Sequence, residues 1–150
     1  MPTTAAHHQH EILNVVGDRI RILADSEATG GKFLVFETIT QPGSGPPLHR
    51  HTHDDEFFYI AEGSVKFEVD GVTRIVDAGG TAFAPKGSVH AFACAGQAPS
   101  RMIITCCPGG LERPFRECDA LAREGRATPE TIEAAFRKFD LEIVGPPLTV

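Results

Sequence analysis

The chain has 150 residues, 14 of them basic and 20 acidic, for a formal net charge of −6. That length suits one domain with a real core, and the acidic balance argues against nucleic acid or an anionic membrane as a partner. Fifteen glycines, eleven prolines and no tryptophan fit many short strands joined by tight turns.

Residues 1–18 read as a flexible N-terminal segment. The start lacks the basic head and apolar run of a signal peptide, and His7, His8 and His10 fall in what reads as a solvated tail. A barrel is expected over 19–107. Arg19 to Leu23 alternates polar and apolar residues as a strand does. Lys32 to Thr40 is a longer strand, rich in β-branched and aromatic residues. Gln41 to Pro47 is a loop whose prolines stiffen the approach to His49. Glu56 to Ala61 and Ser64 to Asp70 flank a hairpin turn at Glu62-Gly63. Val65, Phe67 and Val69 share one face of the second strand. Asp70-Gly71 is a strong two-residue hairpin signal, with Val72 to Val76 returning. Thr81 to Pro85, Val89 to Cys94 and Arg101 to Cys107 complete the strands.

Residues 108–150 read as a helical extension and tail. Phe115, Cys118, Leu121 and Ala122 have near-helical spacing over Arg113 to Glu124, and Gly125 suits a C-terminal cap. Thr128-Pro129-Glu130 opens a second helix, with an N-cap hydroxyl, a first-turn proline and an acid at the positive end of the dipole. The apolar tail from Leu141 is expected to be extended, packed along the barrel or a partner subunit. Strands followed by helices predict a small all-β barrel with a helical C-terminal cover. No apolar stretch reaches membrane-spanning length. Cys94, Cys106, Cys107 and Cys118 form no C-x-x-C pair, which points to a reducing, cytoplasmic setting; Cys106, Cys107 and Cys118 read as small buried hydrophobes.

The chemistry concentrates between Gly43 and His90. Residues i and i+2 of a strand face the same side, so His49 and His51 aim two imidazoles at one point. Glu56 reaches that point if the chain bends over Thr52 to Asp55, and His90 supplies a fourth ligand. Three neutral imidazoles and a carboxylate suit one divalent first-row ion, among iron, nickel, manganese, cobalt, copper and zinc. Four protein ligands leave two octahedral positions open, as a catalytic metal requires. His53 shares the alternation of His49 and His51, but the bend before Glu56 favours a supporting or solvated role. Asp54 and Asp55 read as solvated turn residues, one of which could orient His53.

Phe58 and Ile60 continue the inward parity of Glu56, and Phe67, Phe92, Met102 and Ile104 are further pocket candidates. Cys94 shares the face of His90, either as a fifth ligand or, more simply, as a small apolar filler. Such a wall suits a planar or hydrophobic organic molecule, and no inward Arg or Lys cluster offers a phosphate clamp.

The two stretches resemble the paired motifs of the cupin superfamily. The first, G-x5-H-x-H-x3/4-E-x6-G, is met by Gly43, His49, His51, Glu56 and Gly63. The second, G-x5-P-x-G-x2-H-x3-N, is met by Gly79, Pro85, Gly87 and His90, with Cys94 in place of the final Asn. The resemblance covers about Lys32 to Cys107. It implies a single double-stranded β-helix, or jelly-roll, barrel, a metal held by His49, His51, Glu56 and His90, and a homodimer. Pro46-Pro47-Leu48-His49-Arg50-His51 and Asp54 to Gly63, with the ending Ile143 to Leu148, are most similar to single-domain bacterial cupins grouped with quercetin 2,3-dioxygenase. This implies a metal-dependent dioxygenase of a flavonol-like or other enolisable aromatic small molecule, with Glu56 as a candidate general base. A non-redox isomerase, cyclase or lyase and a binding or sensing module without turnover are the rival expectations.

Overall fold

The computed structural model describes residues 10–150, so the expectation for His7 and His8 lies outside the described residues. Eleven strands and two helices follow the chain as β1 Ile12–Val15, β2 Asp18–Ala24, β3 Leu34–Thr40, β4 Pro47–His51, β5 Asp55–Glu62, β6 Ser64–Val69, β7 Val72–Asp77, β8 Thr81–Ala84, β9 Val89–Cys94, β10 Ser100–Cys107, α1 Glu112–Arg123, α2 Pro129–Arg137 and β11 Leu141–Pro147. They form two antiparallel sheets, ordered β1-β2-β3-β10-β5-β8 and β11-β4-β9-β6-β7. This is the expected jelly-roll barrel with helices at the C-terminal end.

Alternation builds each sheet. On β10, Ser100, Met102, Ile104 and Cys106 are buried while the residues between them are half-buried. On β5, Glu56, Phe58 and Ile60 are buried while Phe57 and Tyr59 face out. Both sheets feed one core, which includes Leu34, Phe36, Phe58, Ile60, Val65, Phe67, Met102 and Ile104. Burying such side chains stabilises the barrel by about 1.5–3 kcal/mol each. The helices close one side of it: α1 packs on β1 and α2 on β11, and Phe115 bridges Phe36 and Phe136 with ring centroids at 5.1 and 6.2 Å.

One element differs from the sequence expectation, and the extended tail takes the first of its two expected places, along the barrel. Strand β1 lies within the segment expected to be flexible and pairs with β2 across the Val16-Gly17 turn. The tail is a barrel strand, because β11 pairs antiparallel with β4, Ile143 opposite His49 and Leu141 opposite His51. That pairing turns β4 from an edge into an inner strand, so its backbone groups are satisfied on both sides.

Candidate metal centre

The loop before β4 is fastened to β9. Gly43 N–H donates to the Cys94 carbonyl and Cys94 N–H to the Ser44 carbonyl, both at 2.9 Å. A Cβ on Gly45 would fall 1.9 Å from the Phe92 carbonyl oxygen, so only glycine permits this approach. The chain therefore enters β4 with His49 directly opposite His90. The turn at Thr52–Asp54 is held by Thr52 N–H and Oγ1, which both donate to the Asp140 carbonyl. Glu56 is then the first inward residue of β5, on the opposite sheet.

One ligand atom each from His49, His51, Glu56 and His90 lies within 4.8 Å of all the others, and all four residues are buried. The ring centroids are 4.4 Å apart for His49–His90, 5.1 Å for His49–His51 and 5.2 Å for His51–His90. Glu56 Oε2 lies 3.0 Å from His51 Nε2 and 3.4 Å from His90 Nε2.

The outer ring nitrogens face oxygen. His49 Nδ1 donates to the Pro47 carbonyl at 2.7 Å and His90 Nδ1 to the Ser88 carbonyl at 3.3 Å. His51 Nδ1 faces Asp54 Oδ2 at 3.6 Å. A hydrogen on each Nδ1 leaves an Nε2 lone pair pointing inward, the tautomer that such acceptors impose on a metal-binding histidine.

Burial, reinforced by the neighbouring His90 and His51, lowers the pKa of His49 to about 3 and keeps that ring neutral. Burial pulls His51 down too, but the Glu56 carboxylate and Asp54 outweigh it and raise the pKa to about 9. Burial pushes Glu56 up; His51 and His90 overcome it and hold the carboxyl below the usual range. His51 Nε2, Glu56 Oε2 and His90 Nε2 are all buried and face only one another, at 3.0 and 3.4 Å from the carboxylate oxygen, with no hydrogen-bond partner outside the cluster. Polar atoms buried together in this way are costly. A divalent cation would satisfy them together, so the donor set fits the expected metal.

The pocket candidates all face inward and are buried. Phe58, Phe67 and Phe92 touch one another with centroid distances of 5.0, 5.9 and 6.3 Å. Ile104 pairs with Phe58, and Met102 with Ile60 one layer deeper. Cys94 fits the filler reading and not that of a fifth ligand. It lies two inward positions beyond His90, about 13 Å along the strand, and its thiol donates to the Ala98 carbonyl at 3.2 Å. His53 is exposed and pairs with Asp140 at 3.0 Å. Asp54 faces His51 rather than His53, and Asp55 accepts from Lys86 N–H at 2.8 Å.

Sequence reading missed Cys106, which pairs with Glu56 across β10 and β5 and is fully buried. Its thiol is pushed well above its ordinary pKa by burial and the Glu56 carboxylate. The inward alternation of Met102 and Ile104 already pointed to it. Cys107, expected to be buried, is exposed.

Residues 36–106 match the family model described as "Cupin domain". The barrel is similar to that of KdgF from Halomonas sp., at 19% identity with a TM-score of 0.64, covering 75% of this chain and 98% of that one. A cupin-superfamily sugar phosphate isomerase from Silicibacter pomeroyi DSS-3 is 26% identical with a TM-score of 0.54, covering 63% of this chain and 61% of that one. Over 79 residues the chain is 28% identical to mannose-1-phosphate guanylyltransferase 2 of Escherichia coli O157:H7, which is 53% of this chain and 16% of that enzyme. It spans a comparably small part of the other curated relatives it matches.

Proposed function

We propose that this chain is a cupin and a metal-dependent enzyme, and specifically a dioxygenase of an enolisable small molecule. The observation that carries the proposal is the convergence of His51 Nε2, His90 Nε2 and Glu56 Oε2, buried and with no partner outside the cluster, beside His49. These four residues would hold one divalent ion. When bound, the ion supplies Lewis acidity for an enolate and a meeting place for dioxygen. The chain supplies the rest. Outer-nitrogen contacts fix the three rings, and Phe58, Phe67 and Phe92 keep water from the enolate. Glu56 is the candidate base, taking the substrate's hydroxyl or α-proton onto its carboxylate.

The test is elemental analysis of protein purified without an affinity tag, beside His90→Ala. Near-stoichiometric redox metal that disappears in the variant, with oxygen uptake on enolisable substrates, is the expected result. Turnover without oxygen, or with zinc alone, would replace the dioxygenase by the non-redox reading. That reading draws support from the 26% identity to the cupin-superfamily sugar phosphate isomerase, although among the described residues no Arg or Lys is buried on the inward faces to clamp a phosphate. A metal that binds but admits no further ligand would make the chain a binding module. Glu56→Gln should keep most of the metal and lose at least about 100-fold in turnover; unchanged turnover would remove the base role.

We further propose a homodimer. Phe57, Tyr59 and Phe83 stand together on the outer face of β5 and β8, each between 42% and 52% exposed. A reducing compartment is proposed on the four free thiols. No helix among the described residues is long and apolar enough to cross a membrane.

A further inference from the structure

We infer that Phe92 sets the size of ligand the centre accepts, and that the unmodified site takes compact oxygen chelators of a few heavy atoms. The inference rests on the metal-centre reading above and narrows its substrate class. It departs from the flavonol-sized substrate implied by resemblance.

The argument is one of space. A pocket for a drug-sized ligand needs roughly 300–1,000 Å³ of open volume. Here Phe58 stands beside His90, and Phe67 and Phe92 pack against Phe58 and against each other. Phe92 follows His90 by two residues on the same face of β9 and pairs with Phe67 across to β6. Phe58 lies with its centroid 5.9 Å from Phe92 and 6.4 Å from His90. Among the four ligands and the three rings, His49 is 8% and Phe92 7% exposed, and none of the others exceeds 4%. What access exists is therefore at His49 and Phe92, on adjacent strands. Cavities of about 290 and 450 Å³ lie elsewhere on the surface, beside Lys66 and Thr73 and beside Ser26 and Glu112.

Phe92 is also the ring most readily removed without disturbing the ligands. Its backbone is clamped independently of its side chain by the neighbouring Cys94–Ser44 and Gly43–Cys94 hydrogen bonds. Truncating it would open apolar space against Phe58, the ring that stands beside His90. A buried apolar cavity of about 150 Å³ is enough to bind benzene in another protein.

The test uses chelators that share one head and differ in bulk: acetohydroxamate, benzohydroxamate and naphthohydroxamate. Each is titrated into cobalt-loaded wild type, Phe92→Leu and Phe92→Ala, with calorimetry and the cobalt absorption band as readouts. Wild type should bind acetohydroxamate at least 10-fold more tightly than benzohydroxamate. Phe92→Ala should gain at least 10-fold for benzohydroxamate while acetohydroxamate stays within about 3-fold, and Phe92→Leu should fall between. Equal wild-type affinity across the series, or no gain in either variant, would overturn the inference with the open metal centre intact. Stoichiometric cobalt that binds none of the three would instead overturn the catalytic reading and this inference with it. If Phe92→Ala loses its metal, the Phe92→Leu comparison decides alone.

Discussion

Asp54 shows how one side chain outside the ligand set can govern the centre. Its Oδ2 faces His51 Nδ1 at 3.6 Å and raises the basicity of that ring. The other two rings lean on main-chain carbonyls that no substitution removes. Asp54→Ala should therefore weaken metal affinity by about 10–100-fold, measured by competition with a chromophoric chelator, while the fold persists. Unchanged affinity would show that His51 is oriented by packing alone. The convergence of His49, His51, Glu56 and His90 was legible in the sequence because strand parity and short spacing are local. Cys106 was less so, since its place beside Glu56 depends on register between strands fifty residues apart. Asp54 was read as solvated because its partner lies behind it in the chain, across a turn whose geometry parity does not fix.

At the scale of elements, two hairpins show why one turn was readable and another was not. Asp70-Gly71 adopts positive φ at both positions, 47° and 80°, as its sequence predicts. Val16-Gly17 does the same, at 52° and 88°, with a β-branched residue that rarely takes that conformation. No turn signal marks it, so β1 went unseen. The pairing of β11 with β4 was hidden for a different reason: ninety residues separate partners that only the closed barrel brings together.

Next to the Val16-Gly17 turn, Asp18 begins β2 half-buried. Burial raises its pKa to about 6, against the opposing hydrogen bonds of Thr40 and Thr38. The folded state thus holds this proton more tightly than the unfolded chain, whose carboxyl titrates near 3.8. The contribution favours folding fully below about pH 4 and is lost as pH rises through 6. Asp18→Asn keeps an acceptor for the Thr40 hydroxyl and removes the charge. It should stabilise the protein at pH 7.5 by on the order of 1–3 kcal/mol and leave pH 4 stability nearly unchanged. Thermal unfolding of both proteins at the two pH values checks this, and an equal shift at both would rule out titration as the cause.

For the whole molecule, the outer face of the β5–β8 sheet is where the proposed homodimer would form. Three aromatic side chains in one cluster present a few hundred Å² of apolar surface, the size of patch that usually marks a contact. Phe83→Glu should halve the mass found by analytical ultracentrifugation and leave metal content unchanged. A wild type already monomeric, or a variant still dimeric, would take this face out of the assembly.

The three histidines come from one sheet and the glutamate from the other, so an ion there would rivet the two leaves of the barrel. Binding there would favour the closed barrel over the unfolded chain, so loading should raise the melting temperature of both sheets together. Occupancy in this protein would then be read as cohesion between its two leaves.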